Sequence, residues 1–598
     1  MNRFDEILAL ARAARRLSPR MAMFMLRRVV RNALAPRLPH LYKSRIKAIQ
    51  RQVPPLSTRT TITEEIREAF DLYCHEYKGD IDAFRSGDFR INGRSVYFTS
   101  LIDLDWNHYI AEEGDHQMWR VKLNHFGFSA PMLAYGEKSH HDAIKDLIAG
   151  FCSNSPVSAK GSFYGSWFPY AVSHRIIAIT SGILAAREVN KIDNDLEYCL
   201  SEFVRYNVAF LLDNIEHELL NNHVERNLAA LCVYFTFAEK VPKDVSTMME
   251  AEISRLVETT VLPDGVQIER SPMYQGLSAV SLAVMAAAPF LSPHLRTTLT
   301  HKALAARKAF AILCHPDGEV ALFNDGWHGE VPRLSGPPAP EGRSVLENGG
   351  YARLSNRDDV CILDAGPLGP SWNPGHGHAD FLSVEVSLGG HRFIVDPGTS
   401  GYNTGPDRAR ERSAKAHNGP VWSGYEPVEF LGCFKVGRMA EARLVPTEAI
   451  SDDLTIGGLF DTPRGRTGRL VRLYPRAGFL IVDGWSAVSP SGEVSWLIPQ
   501  NWRFGRCESS VVRFSRPSSG DGACIELLSD GELDAPRGAV WASHYGKRDA
   551  AWELRLRPVA KDGLQSLACW VGHKTAKSDA RADAEALASE LRSLLLAP

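Results

Sequence analysis

Residues 381–396 read FLSVEVSLGGHRFIVD, and this stretch decides the fold of the second half of the chain. Apolar residues alternate with polar ones from Leu382 to Leu388, which is the period of a β-strand with one buried face. The pair Gly389-Gly390 then predicts a tight turn, and the apolar run after it predicts a returning strand. We therefore expect a β-hairpin here.

Short apolar runs continue after the hairpin, at 468–473, 478–483, 511–514 and 552–556. Many short strands separated by turns are typical of an antiparallel β-sandwich. The tail at 582–595 has the pattern of a helix that closes the domain.

The chain before the hairpin has a helical pattern instead. Apolar residues recur at helical spacing, or in long runs, within 183–189, 199–212, 227–237 and 277–291. The last of these is apolar nearly all round, so we expect a buried helix. Helices joined by short polar connections predict a bundle or a toroid of helical hairpins. A Pro-rich connector at 332–340 ends this part.

A length of 598 residues predicts two or three domains. We expect a multidomain α+β protein, with a basic N-terminal helical segment at 1–45, a helical domain at 46–335 and a β-sandwich domain with its closing helix at 345–598. The formal net charge of −2 argues against a dedicated nucleic-acid binder but allows a local basic cleft. The ten cysteines include no Cys-x-x-Cys pair, so no thiolate zinc site is predicted.

The N-terminal segment lacks the features of an export signal or an anchor. Its apolar run, Met21 to Leu26, is interrupted by arginines too early for a secretory signal, and no stretch reaches the length of a membrane span. We expect a cytoplasmic protein and leave a periplasmic one open. The basic amphipathic helix predicted here either packs on its own domain or contacts an anionic membrane face.

Four polar clusters could carry chemistry, and each also has an ordinary structural reading. The clusters are Asn221–Asn227, Asp264–Tyr274, Gly375–Asp380, and Val395–Tyr402 with the downstream segment Ala416–Asn418. An Asn at a helix start is often only a cap. A Tyr at a core edge often only bonds the backbone. Asp-Pro-Gly is also a common turn.

The third and fourth clusters contain groups that bind metals. Two histidines two apart share a face if the chain is extended, and flanking glycines leave the backbone free to aim them. His378, Asp396 and His417 make a set of two imidazoles and one carboxylate, which suits zinc or a similar divalent ion. A hydrogen-bonded His–Asp–His cluster without a metal is the alternative.

The order of these motifs resembles the heparinase II/III-like family of polysaccharide lyases, whose architecture the exo-acting alginate lyases share. The motifs are the Asn-His pair at 222–223, Ser-Pro-x-Tyr at 271–274, His-Gly-His-Ala-Asp at 376–380, Val-Asp-Pro-Gly-Thr at 395–399 and Ala-His-Asn at 416–418. The resemblance is good from Glu202 to Arg438. It implies an incomplete (α/α) toroid followed by an antiparallel β-sandwich, with the active site between them.

The resemblance also implies roles for individual residues. Four would be catalytic, with Tyr274 as the phenol, His223 as its partner, and Asn222 and His376 as groups that bind the substrate carboxylate. We expect four further residues to line the substrate: Arg175, Arg226, Glu269 and Arg270. The metal set His378, Asp396 and His417 would be structural, with zinc favoured and no organic cofactor. The reaction would be β-elimination on an acidic polysaccharide or oligosaccharide that contains uronic acid.

Three other functions remain open at this point. A glycoside hydrolase on the same scaffold would need two carboxylates at the scissile bond, and Glu225, Glu269 and Asp325 are the available ones. A metal hydrolase would use the His-Asp-His set to activate water. A non-catalytic polysaccharide-binding or biosynthesis-associated protein would keep the fold without the chemistry.

Overall fold

The chain changes from helices to strands near its midpoint. The computed structural model describes residues 3–58, 60–189, 191–487, 491–508, 510–561 and 564–597. Within these residues the helical part ends at Ile312 and the first strand of the sandwich begins at Gly342. The Pro-rich connector lies between them, so the predicted order of a helical part and a sheet-rich part is confirmed. The domain limits themselves stay a prediction.

Sixteen helices occur in the described residues. They are α1 (Arg3–Ala14), α2 (Pro19–Leu34), α3 (Pro39–Gln50), α4 (Glu64–Tyr77), α5 (Ile81–Arg85), α6 (Met118–Leu123), α7 (Ser129–Tyr135), α8 (Lys138–Asn154), α9 (Pro169–Glu188), α10 (Asn194–Asp213), α11 (Asn222–Phe237), α12 (Lys243–Thr260), α13 (Pro272–Ala286), α14 (Pro293–Ile312), α15 (Pro406–Arg412) and α16 (Ser578–Leu596). None of them, as far as the described residues go, is long and apolar enough to cross a membrane.

The helical part has an inner and an outer layer. Helices α9, α11 and α13 pack side by side, while α10, α12 and α14 each pack against the inner helix that precedes them. Every residue of α13 up to Met285 is buried, as its all-round apolar pattern predicts. That helix ends at Ala286, short of the expected Leu291, because Pro289 disfavours helical backbone just before it. Helix α4 contacts both α9 and α13.

The strands of the described residues form a small hairpin in the helical part and the sheets of the second half. They are β1 (Asp88–Ile91), β2 (Arg94–Tyr97), β3 (Gly342–Leu346), β4 (Tyr351–Asn356), β5 (Asp359–Asp364), β6 (Val384–Leu388), β7 (His391–Ile394), β8 (Val421–Trp422), β9 (Phe430–Leu431), β10 (Lys435–Val436), β11 (Ala442–Leu444), β12 (Thr455–Thr462), β13 (Gly465–Tyr474), β14 (Gly478–Trp485), β15 (Gly492–Pro499), β16 (Arg503–Glu508), β17 (Val511–Ser515), β18 (Gly522–Leu527), β19 (Gly531–Leu533), β20 (Arg537–Trp541), β21 (Asp549–Lys561) and β22 (Leu564–Gly572).

Two antiparallel sheets face each other in the second half. One has the order β3-β4-β5-β6-β7, and the larger one follows β11-β12-β13-β14-β22-β18-β17-β16, with further strands joined through β21. Apolar side chains of both sheets, such as Val384 and Phe393 from one and Ile481 and Trp496 from the other, share one core. The expected hairpin is β6–β7, and Gly389 and Gly390 both have positive φ at its turn. Helix α16 packs on the outer face of the larger sheet.

Candidate active site

The inner helices begin next to one another, and their first turns carry the polar groups of the site. Tyr170 lies in the first turn of α9, and its ring stacks on His223 in the first turn of α11 with 4.4 Å between centroids. The backbone N–H of Asn222 donates to Glu269, just before α13, at 2.8 Å. Helix N-termini carry partial positive charge, so three adjacent ones favour an anionic ligand.

Asn222 presents a free amide group. Asn221 is the N-cap of α11, and its side chain accepts from the backbone N–H of His223 at 3.0 Å. Asn221 therefore caps the helix, and the side chain of Asn222 stays available. Asn222 is 7% exposed, and neither its Oδ1 nor its Nδ2 has a hydrogen-bond partner among the described residues. A buried unpartnered amide costs free energy unless something binds it, so this group is suited to a ligand.

The buried carboxylate of Glu269 accepts hydrogen bonds from several residues of this region. Its Oε2 accepts from the backbone of Asn222 at 2.8 Å and from Gln267 at 3.0 Å. Its Oε1 accepts from Asn221 at 3.3 Å and lies 3.0 Å from Nδ1 of His376. Burial raises the pKa of this carboxyl, but His376 and the hydrogen bonds outweigh burial, and the pKa is lowered. Glu269 is thus an anion that connects the helical part to a loop of the sandwich.

Three rings stack where the two parts meet. The ring of His376 lies parallel to Tyr274, with an interplanar angle of 7° and 4.5 Å between centroids. Tyr402 lies on a further nearly parallel plane at 6.2 Å from His376, and its Oη is 3.2 Å from the Oη of Tyr274. Sequence reasoning missed Tyr402 as a site residue, although it ends the Val395–Tyr402 motif.

Tyr274 is protonated in this environment. The side chain follows the N-cap Ser271, which holds the first turn of α13, and it is 7% exposed. Burial, and then the nearby Tyr170, raise the pKa of Tyr274 well above its ordinary value of about 10. A neutral phenol of this kind can donate a proton.

His223 is paired with a carboxylate that sequence reasoning did not single out. Its Nδ1 lies 3.1 Å from Oε1 of Glu216, in the segment between α10 and α11. Burial lowers the pKa of His223, but Glu216 more than offsets burial, and the pKa is raised. The pair resembles the arrangement in which a carboxylate orients a catalytic imidazole.

The loop at 375–378 directs its two histidines toward different carboxylates. A turn at 375–376 directs His376 toward Glu269, and Nε2 of His378 lies 2.9 Å from Oδ1 of Asp325 instead. The two histidines therefore contact different carboxylates. Gly377 is required here, since a Cβ at this position would lie 2.1 Å from the carbonyl oxygen of Leu368.

A buried ion pair supports the sandwich side of the site. Asp325 accepts from both Nη atoms of Arg408, with Nη2 at 2.8 Å from Oδ2. Burial raises the pKa of Asp325, but Arg408 and His378 lower it well below its usual range. The Arg408 guanidinium lies over the ring of Tyr402, 5.1 Å from its centroid. This ion pair holds Tyr402 in place.

A possible metal site differs from the predicted one by one ligand. Asp380, Asp396 and His417 are buried and can each offer a ligand atom within 4.8 Å of the others. His378 is not part of this group: its Nε2 lies 2.9 Å from Oδ1 of Asp325, and its Nδ1 has no hydrogen-bond partner among the described residues. His417 Nε2 has no hydrogen-bond partner among the described residues. Burial raises the pKa of Asp380 to about 7, and it also raises that of Asp396. Two adjacent buried carboxyls and a free imidazole nitrogen fit a divalent cation.

Three of the four expected substrate-lining residues have other roles. Arg175 is fully buried and donates to Asn124 O, Ser166 O and Asn207 Oδ1, so it braces the helices. Arg270 donates to three backbone carbonyls, and Glu269 is 2% exposed with its partners described above. The guanidinium groups of Arg175 and Arg270 are thus satisfied by protein acceptors, mainly backbone carbonyls.

Arg226 is different from these three. It is 2% exposed, and among the described residues it makes neither an ion pair nor a hydrogen bond. It lies close enough to Tyr170 to lower the pKa of that phenol, against the raising effect of burial. An unpaired buried guanidinium one turn along α11 from Asn222 adds positive potential behind the site.

Comparisons with known proteins agree with this architecture. Residues 338–554 match the family model for the heparinase II/III-like C-terminal domain. A solved structure of heparinase III shares 15% identity, covers 87% of each chain and has a TM-score of 0.65. Heparan sulfate lyase HepC from Pedobacter heparinus, solved as a mutant, shares 17% identity over 92% of this chain and 90% of its own, with a TM-score of 0.55.

No curated protein sequence matches the chain. At these identities the structural likeness establishes the fold, an incomplete (α/α) toroid joined to a β-sandwich, and the predicted fold class is confirmed. The resemblance expected from the motifs is also confirmed: residues 338–554 match the model of the heparinase II/III-like C-terminal domain, and the chain as a whole has the fold of heparinase III.

Proposed function

We propose that this protein is a polysaccharide lyase that cleaves a uronic-acid-containing polysaccharide or oligosaccharide by β-elimination. The observation that carries the proposal is the arrangement around Glu269, which joins the free amide of Asn222 to the His376–Tyr274 stack. The named activity of the similar heparan sulfate lyase supports the same reaction class.

Asn222 and His376 would neutralise the uronate. The proton at C5 is weakly acidic while the adjacent carboxylate is fully charged, so donors to that carboxylate stabilise the enolate-like state as the proton leaves. The Asn222 amide supplies neutral donors, and the ring of His376 is oriented by Glu269 at 3.0 Å. The three helix N-termini and Arg226 add positive potential to the same place.

His223 and Tyr274 would move the protons. His223, oriented by Glu216, takes the C5 proton; the electron pair forms the C4–C5 double bond, and the C4–O4 bond breaks. Tyr274 gives its proton to O4, which suits a phenol whose raised pKa keeps it protonated. Tyr402 stabilises the resulting phenolate by donating to it from 3.2 Å. His223 then releases its proton to solvent, and Tyr274 takes one up from solvent, so both residues return to their starting states.

A divalent cation at Asp380, Asp396 and His417 would have a structural role. The ligand set of two carboxylates and one imidazole suits zinc and also harder ions such as Mn²⁺. The bound ion would neutralise the two carboxyls and cross-link the segments that carry them. Asp380 also accepts from the backbone of Asn324 at 2.7 Å, next to the Asp325 ion pair, so the cluster would hold His376 indirectly.

The hydrolase alternative is weakened by its own carboxylates. Asp325 and Glu269 are almost fully buried and bonded as described, and Glu225 is 2% exposed and accepts from Ser278 at 3.0 Å. A pair of carboxyls that flank a glycosidic bond must reach the sugar, and these carboxyls face protein groups.

The test is the ultraviolet band of the conjugated unsaturated uronate, followed with a panel of acidic polysaccharides and bacterial exopolysaccharides. We expect absorbance to rise with the native protein and to be lost with Tyr274→Phe. Tyr474→Phe, which removes a phenol bonded to Asp583 on the far face of the larger sheet, is the matched control and should retain activity. New reducing ends without the band would refute elimination and favour hydrolysis.

A further inference from the structure

The N-terminal helices α1 and α2 are fixed to the protein by one side only. On α2, the ring of Phe24 packs 4.4 Å from that of His217, in the segment between α10 and α11. On α1, Arg12 pairs with Glu429 of the sandwich at 2.8 Å. The two helices therefore lie across both halves of the molecule, and their inner side is occupied.

Their outer side is apolar and uncovered. Within the described residues, the stretch from Ile7 to Leu41 contains ten exposed large apolar side chains, against eleven in all the rest of the chain. Along α2, Met23, Leu26 and Val30 lie on one face at spacings of three and four, with exposed fractions of 57%, 64% and 45%. An apolar concentration of this kind marks a surface that meets another apolar phase.

The charged residues from Ile7 to Thr63 all have one sign. No acidic residue lies between Glu6 and Glu64, whereas thirteen residues of that interval are Arg or Lys. Some pair with acids of the helical part, as Arg12 does with Glu429. Others have no carboxylate partner among the described residues: Arg15 and Arg37, which follow α1 and α2, and Lys43 and Lys47 on α3 are exposed, and Arg37 donates to the carbonyl of Ala33.

We propose that the outer face of α1 and α2 docks the protein onto a membrane surface that contains anionic phospholipid. Exposed aliphatic side chains on one face of a helix that also carries arginines, in a stretch without acids from Ile7 to Thr63, form the pattern of a helix that lies in the membrane interface. The apolar residues enter the acyl boundary, and the free cations bind the phosphate layer. This face binds a lipid surface rather than a second copy of this chain, because the positive charges of a second copy would be repelled by those of the first.

The test uses the full chain in sedimentation with vesicles. Vesicles of pure phosphatidylcholine are compared with vesicles of about 70% phosphatidylcholine and 30% phosphatidylglycerol. We expect binding to the anionic vesicles that weakens when salt rises from about 50 to about 500 mM. The double variant Leu26→Glu/Val30→Glu should reduce this binding about tenfold or more, because it places acids on the apolar face. Both residues are exposed, and an unchanged melting temperature verifies the fold.

Leu304→Glu is the matched control, since Leu304 is 53% exposed on α14 and lies outside the N-terminal segment. It should bind vesicles as the native chain does. No binding to anionic vesicles, or equal binding by the double variant, would overturn the proposal. So would a dimer, seen by light scattering without vesicles, that the double variant converts to monomers; the face would then be a contact between copies.

Discussion

Replacement of Glu269 by Gln tests whether one buried carboxylate organises the candidate active site. Four nitrogen groups converge on its two oxygens, two on each: Asn221 and His376 at Oε1, and the Asn222 backbone and Gln267 at Oε2. Gln has the same shape but keeps only one oxygen. Its NH₂ group must therefore face two other donors, and the charge beside His376 is lost.

The size of the effect follows from these contacts. Each hydrogen bond to a charged acceptor contributes about 1.5–3 kcal/mol; depending on how the amide is oriented, the variant loses either the Asn222 and Gln267 bonds at Oε2 or the Asn221 bond and the His376 contact at Oε1. Either Asn222 or His376 then moves, and a displacement of about 1 Å in a catalytic group costs roughly 100-fold in rate. We expect kcat/KM to fall on that order, equal to about 2.7 kcal/mol of transition-state stabilisation.

Glu269→Gln should also lower the stability of the fold, and the size of this loss should depend on pH. Because the folded pKa of Glu269 is lowered, its ionised form stabilises the protein above the unfolded pKa of about 4.3. That contribution disappears as pH falls through the lower folded pKa. The difference in melting temperature between native protein and variant should therefore be largest near neutrality and shrink in acid.

The assay is the rate of unsaturated uronate formation on the best substrate of the panel, with thermal unfolding in parallel. Glu225→Gln is the matched control: Glu225 is equally buried, at 2% exposed, and among the described residues its side chain has only Ser278 as a hydrogen-bond partner. It should keep most of the activity. Glu269→Gln with more than half of native kcat/KM, or Glu225→Gln with the same loss, would refute the reasoning.

Three further substitutions test the other contacts. Glu216→Gln removes the group that raises the pKa of His223, so the acidic limb of the kcat/KM profile should move to lower pH; an unmoved limb would exclude His223 as the base. Tyr402→Phe should lower kcat about tenfold, and Tyr274→Phe by about 10³-fold, because only the latter donates the proton; equal losses would contradict this division of roles. Asp380→Asn should lower both the bound metal, measured by elemental analysis, and the melting temperature. If no ion binds there, the same change relieves repulsion between two buried carboxyls, and the melting temperature should rise instead.

Local patterns were sufficient for the type and order of the main elements, whereas the toroid was expected only from the resemblance. The period-two run and glycine pair at 381–396 are strand β6, its turn and strand β7, and the apolar run from Leu277 is the buried helix α13. These features depend on neighbours in sequence, so periodicity and turn chemistry specify them. Only the end of α13 was misjudged, where Pro289 stops the helix earlier than the apolar pattern does.

The site was predictable only in part, because its contacts join distant segments. The motifs pointed to Asn222, Tyr274 and His376, and the fold brings these residues to one region. Glu216 and Tyr402 act through partners that no local pattern indicates: Tyr402 meets Tyr274 from 128 positions away. The geometry groups Asp380, rather than His378, with Asp396 and His417, and no local pattern in the sequence indicates that proximity.

The boundary between the two parts of the fold runs through the middle of the site. Asn222, His223 and Tyr274 belong to the helical part, whereas His376 and Tyr402 come from the sandwich. Trp372 donates to the carbonyl of Leu220 at 3.2 Å across this boundary, within two residues of Asn222. The groups proposed for catalysis are therefore assembled only while the two parts are docked. We expect that a slight separation of the two parts would abolish activity while both cores stay folded.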